Sequence, residues 1–351
     1  MHFAALFSIA AAGLAAAAPF SLPNGFPNIK PGNLAHTQKT AGGTLPNTAL
    51  PTDLKKDAIA TLQLIAVNEI FEVSYFSTLY DNVVAGKEGY TDFGGLDKDY
   101  VVKSLAAIRA QEELHAAGAN AILKSAGAST IGACNYKFPA TDFKSAIALA
   151  ATFTDVVLGT LSEAQQTFAL DGGQAASGLV PLVGSIIAQE GEQDGAFRLI
   201  QRKTPSAAPF LTYSSGAFAF NAVAQNFLVP NSCSASSNVS EIGLPSFKLL
   251  TPTTTPQAKN MTLDYTTTYS DASAQANHIV YISGVNKPVV VPIKSVSKKG
   301  DSATFQAEFP FDAGFSNGLT LAALTTSAGP FDSAAAVADK TVAGPGLIEV
   351  N

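Results

Sequence analysis

Four long segments of helical period follow one another between Thr52 and Ile200, joined by short connections. Such a chain buries its apolar stripes most simply as an antiparallel up-down bundle. The first segment starts at Thr52, read as its N-cap, and carries Leu62, Ala66, Val73, Phe76 and Tyr80 on one stripe. The second starts at Asp97 and aligns Val101, Leu105, Ile108, Ala119 and Ile122. The third follows Asp142, aligns Ile147, Ala150, Phe153, Val157, Leu161 and Phe168, and stops at Asp171-Gly-Gly. The fourth opens near Pro181, a residue suited to a first helical turn, and carries Val183, Ile187, Phe197 and Ile200. A fifth stretch, Ala217–Phe227, is expected on the outside of the bundle.

With 351 residues there is room for a second domain. After Pro230 the sequence turns to Ser, Thr and Pro, and strand-like runs appear at 261–269, 279–283, 289–296, 303–309 and 319–325, separated by turn residues. The expected architecture is therefore α+β: a helical bundle over 52–235, then a small antiparallel β-sandwich over 243–351. Residues 1–18 read as a secretory signal peptide, with an apolar stretch from Phe3 and small residues Ala15–Ala18 before Pro19. Residues 19–51, rich in Pro, Gly, Asn and Thr, read as an extended arm or removable pro-segment. Later apolar runs are broken by Glu, Asp or Gly, so no membrane span is expected after the leader. A secreted chain with two cysteines, Cys134 and Cys233, is expected to join them, and Asn238 and Asn260 stand in glycosylation sequons. Net charge is −6 with no basic run longer than Lys298-Lys299, so no nucleic-acid partner is expected. Neither a nucleophile elbow nor a P-loop or dinucleotide fingerprint occurs.

The chemistry-bearing residues sit where the stripes should be apolar. On the second segment the steps 101, 105, 108, 112, 115, 119 and 122 share a face, which turns Glu112 and His115 inward. Glu113, on the neighbouring face, reads as solvated. Glu69 interrupts the first stripe, with Glu72 one turn on, and Glu190 interrupts the fourth, followed by Gln193 and Asp194. On the third, Asp155 and Glu163 lie on different edges of the stripe, and either can face inward. A buried carboxylate costs several kcal/mol unless paired or cation-bound, so this pattern points to metal. Oxygen ligands with an imidazole suit iron or manganese, held by Glu69, Glu72, Glu112, His115, Asp155, Glu163, Glu190 and Gln193.

The runs Asn68-Glu-Ile-Phe-Glu72, Glu112-Glu-Leu-His115, Cys134-Asn-Tyr-Lys-Phe-Pro139 and Gln189-Glu-Gly-Glu-Gln-Asp194 resemble the secreted ferritin-like proteins of filamentous fungi, often labelled stress-response or late sexual development proteins. The resemblance covers about residues 53–235. It implies a ferritin-like four-helix bundle with two Glu-x-x-His motifs; Gln193 departs from the second, and the acidic position of the third helix falls on Asp155. Two functions follow as expectations: a metal-binding oxidoreductase acting with O2 or peroxide, or a structural protein that has lost its metal and meets a cell wall or protein partner through the β-domain. A storage cage is not expected, because the arm and β-domain obstruct shell assembly.

Overall fold

The computed structural model describes residues 18–351 apart from 269, 271, 272 and 274, so all but the last residue of the leader lies outside the described residues. The helices are α1 (Pro31–Ala41), α2 (Lys56–Val84), α3 (Lys98–Ser125), α4 (Phe143–Leu170), α5 (Leu179–Ile200), α6 (Gly216–Asn226) and a short α7 (Ala334–Ala338). Two helices start where expected, at acidic caps. Asp97 accepts from the N–H groups of Asp99 and Tyr100, and Asp142 forms a reciprocal capping box with Ser145. Thr52 does not cap α2. The Lys55 N–H is instead held by the Gly172 carbonyl in the connection after α4, which keeps the chain extended until Lys56.

Helices α2–α5 form the bundle, α2 packed chiefly on α3 and α4 on α5. Its interior is two apolar clusters. One gathers Leu62, Ala66, Ile122, Leu161, Phe168 and Val183, the other Phe76, Val101, Leu105, Ile147, Phe153 and Phe197. The most apolar windows of α2 and α4 are long enough to cross a bilayer, contrary to expectation, but they are 83% and 72% buried within the fold. Their hydrophobicity serves the bundle core.

The segment 19–51 is not extended throughout. It folds Phe26 into the bundle core, then α1 lies along α3, where Ala41 meets Ala110 and Leu114. A Pro at the first helical turn and Gly42 in the left-handed region bound α1. Nor does α6 lie outside. Ala217, Phe218, Ala219 and Ala222 are buried between Val156 of the bundle and Val280, Ile282, Leu319 and Leu321 of the sheet.

The C-terminal sheet has seven strands: β1 (Leu250–Pro252), β2 (Met261–Thr268), β3 (His278–Ser283), β4 (Val289–Lys299), β5 (Ser302–Phe309), β6 (Gly318–Thr325) and β7 (Thr341–Val350). They run antiparallel in the order β1-β2-β5-β4-β3-β6-β7. Strand β4 serves two halves: Val289–Pro292 pair with β3 and Ile293–Lys299 with β5, across a register shift between Ile293 and Ser295. The halves fold face to face over Tyr265, Ile279, Tyr281, Phe305, Phe309 and Ile348. A parallel bridge from Lys248 to Ala343 nearly closes the sheet into a barrel. The outer face of β3 and β6 is covered by α6, so sheet and bundle share a core.

Candidate metal centre

Between the two apolar clusters of the bundle, near the midpoints of α2, α3 and α5, lies a polar layer. Glu69 from α2, Glu112 and His115 from α3 and Glu190 from α5 each place one ligand atom within 4.8 Å of all the others. The three carboxylates are 0–1% exposed. The i, i+3 spacing brings Glu112 and His115 onto one face, where His115 Nδ1 lies 2.8 Å from Glu112 Oε2. The same nitrogen is 3.3 Å from Glu69 Oε2 and 4.0 Å from Glu190 Oε1. Among the described residues, His115 is the only ion-pair partner of these three acids.

This is a site short of positive charge. Both carboxylate oxygens of Glu69 and both of Glu190 are buried without a hydrogen-bond donor. Burial pushes Glu69 up to about 7, although His115 opposes the shift. Burial also lifts Glu190 well above the usual carboxylate range, reinforced by Glu69 and Glu112. For His115, burial favours the neutral ring, but Glu112 and Glu69 together raise it well above an ordinary histidine. A divalent cation relieves each of these strains at once, because it supplies the charge that His115 alone cannot give to three carboxylates. Three carboxylates and one imidazole form a donor set suited to iron or manganese.

The remaining candidates divide. Glu72 is 2% exposed and belongs to the same layer: burial and then Glu190, Glu112 and Glu69 raise it well above the carboxylate range. Gln193 is beside the site but turned as a donor, its Nε2 2.7 Å from Glu112 Oε1. Asp155 and Glu163 are elsewhere. Asp155 has the right depth on α4 but faces Glu349 of β7 and then Arg198 of α5, its strongest charged neighbours. The face of α4 turned to the bundle core at that level is taken by Phe153 and Val157. Glu163 Oε2 accepts from the Gly216 N–H at 2.6 Å and so caps α6. Asp194 also turns away, toward Asp155.

Glu113 is not solvated. It is 2% exposed, because the arm covers it: Asn24 Nδ2 donates to Glu113 Oε2, and Arg109 Nε stands 3.7 Å from Oε1. Gln111 and Gln189, which no apolar stripe singles out, bridge α3 and α5 at the edge of the site through a 3.2 Å bond. Their one signal is spacing: Gln189 and Gln193 are four apart on α5, and Gln111 precedes Glu112. Cys134 and Cys233 are bonded as expected, with Cα atoms 4.4 Å apart. Asn238 Nδ2, the atom a glycan would occupy, donates to the Thr130 carbonyl at 2.7 Å. Asn260 is exposed and accepts from the Asp312 N–H through Oδ1.

Residues 62–203 match the family model described as ferritin-like domain. The chain carries a ferritin-like domain. The match begins within α2 and ends just after α5, so it contains all four members of the cluster. No curated protein matches the chain. The C-terminal sheet lies beyond the matched residues and packs on the ferritin-like domain through α6.

Proposed function

We propose that the protein is a secreted metal-binding protein that holds iron or manganese through Glu69, Glu112, His115 and Glu190, with oxidoreductase-type chemistry. The observation that carries this reading is the pair of buried carboxylates, Glu69 and Glu190, whose four oxygens receive no hydrogen bond although they converge on His115. Secretion is supported by the leader-like composition of residues 1–18 and the Cys134–Cys233 bond.

A bound iron or manganese ion supplies one-electron exchange with oxygen or peroxide. The chain's own part is orientation and proton handling. His115 presents Nδ1 to the same space as Glu112 Oε2, 2.8 Å away, and a bound cation would take the place of the proton between them. Glu72, lifted well above the usual carboxylate range by burial and then by Glu190, Glu112 and Glu69, lies in the same layer and is the nearest further acid to a molecule at the site. The two apolar clusters above and below the layer exclude water along the bundle axis.

Elemental analysis of the untagged protein after equilibration with Fe2+ or Mn2+ and removal of excess tests this. Retained metal in the parent and loss in Glu69→Gln support it; a parent that retains none overturns it. The competing reading is a secreted structural protein that meets a cell wall or partner through its β-domain. It draws on one observation: α4 gives the cluster no carboxylate, since Asp155 and Glu163 are used elsewhere.

A further inference from the structure

Gln193 stands one turn beyond Glu190, and its neighbours determine which end of its amide faces the site. The backbone carbonyl of Ala41, last residue of α1, can only accept a hydrogen bond. Gln111 Nε2, 3.2 Å from it, is therefore the donating end of that amide. Gln111 Oε1 then faces α5, where it accepts from Nε2 of Gln189 and Nε2 of Gln193, both at 3.2 Å. Gln193 Nε2 has one further N–H, and it points at Glu112 Oε1, 2.7 Å away. An acceptor stands at each end of this relay, the Ala41 carbonyl and the Glu112 carboxylate, and together they set its polarity.

We propose that Gln111 and Gln193 are positioning residues that limit the site to one ion, with the N-terminal arm fixing their orientation. The proposal rests on the metal-binding reading above. Glu112 has two oxygens: Oε2 faces His115 Nδ1 at 2.8 Å, and Oε1 is engaged by the Gln193 N–H. Of the two lone pairs on Oε1 the Gln193 N–H takes one, and its positive end, 2.7 Å away, repels a second cation approaching the other. Gln193 is buried, so it has no room to swing away into solvent. α4 supplies no carboxylate to make good the loss.

The test is a Mn2+ titration of the full chain, read by bound ion per chain and by affinity. The parent is expected to bind one Mn2+. Gln193→Glu replaces the donor by an acceptor of the same length and is expected to bind two. Gln111→Leu releases the Gln193 amide and is expected to weaken the ion about tenfold, as loss of a charge-assisted hydrogen bond to Glu112 implies. Gln111→Glu keeps the acceptor for Gln193 while losing the donor to Ala41. It is expected to stay within about twofold of the parent, which a merely structural role for position 111 would not produce. Two ions in the parent, one ion in Gln193→Glu, or equal affinities of Gln111→Leu and Gln111→Glu each overturn the relay. Should Gln111→Leu fail to fold, the Gln193→Glu stoichiometry decides alone. A parent that binds no Mn2+ overturns the metal reading itself, a distinct result.

Discussion

Glu190 concentrates the residue-scale question, because a side chain 1% exposed with two donorless oxygens is tolerable only if protonated or cation-bound. Glu190→Gln keeps the shape and removes the ionisation. Metal affinity is expected to fall by at least a hundredfold, whereas the chelator-treated protein at pH 8 should gain about 1 kcal/mol, since a raised carboxyl no longer has to ionise among Glu69 and Glu112. Paired thermal melts in chelator and in Mn2+ check both signs, and a variant destabilised in chelator would show that Glu190 is a structural hydrogen-bonding group instead. Glu69, Glu112, His115 and Glu190 were legible in the sequence because a helical stripe fixes depth and face together. Asp155 was legible in depth only. On α4 the apolar residues cover so much of the circumference that the stripe's centre is poorly defined, and the sheet, which claims Asp155, adds a second buried face that periodicity does not reveal. Gln193 reads from the sequence as one of the metal-holding residues, whereas its place as a donor to Glu112 depends also on Ala41, 152 positions away in the chain, which no local pattern encodes.

At the scale of elements, what joins sheet to bundle is α6. Asn221, 1% exposed, donates through Nδ2 to the Pro245 carbonyl at 2.7 Å and accepts from the Phe247 N–H at 2.7 Å. Asn221→Ala strands the buried Phe247 N–H and removes the donor to the exposed Pro245 carbonyl, and is expected to cost about 1–3 kcal/mol in urea unfolding. A loss below about 1 kcal/mol would mean that water replaces the amide there. The four bundle helices and five of the strands were legible from period and turn chemistry. Those missed lacked a signal. α1 reads Pro-Gly-Asn-Leu-Ala-His-Thr-Gln-Lys-Thr-Ala, with too few apolar residues to mark a stripe, and is held by contacts to α3. β1 is three residues long, and β7 contains Gly-Pro-Gly, a turn-like run that pairs with β6 only through register shifts. α6 was found but assigned to the outside, because its burial depends on a sheet encoded later in the chain.

At the scale of the whole molecule, two features bind parts that are distant in sequence. The Cys134–Cys233 bond spans 99 residues, and its removal is expected to cost about 4–5 kcal/mol by the chain-entropy account, measured by denaturant unfolding with and without reductant. The second feature is acidic. Asp155 of α4, Asp194 of α5 and Glu349 of β7 meet where bundle and sheet join, and Asp155 Oδ1, Asp194 Oδ1 and Glu349 Oε1 are buried without hydrogen-bond partners. Arg198 is near, but its guanidinium bonds the Thr204 and Asn351 carbonyls. Burial, then Glu349, holds Asp155 well above the carboxylate range; burial first pushes Asp194 and Glu349 each up to about 7, with Lys203 and Arg198 opposing. An acid raised in the fold takes up protons on folding, so its stabilising effect is complete below about pH 4, is lost as pH rises through about 7, and is constant above. The junction is therefore expected to loosen between pH 4 and pH 8. Asp155→Asn retains a donor for Glu349 and cannot ionise, so it should unfold at higher urea than the parent at pH 8, by of order 1 kcal/mol, and equal it near pH 4. Chelator in both samples removes any metal contribution, and subtracting the parent's profile cancels the titration of the Glu69 layer. A variant whose stability runs parallel to the parent's from pH 4 to pH 8 would place the molecule's pH sensitivity in that layer and leave the junction carboxyls without a part in it.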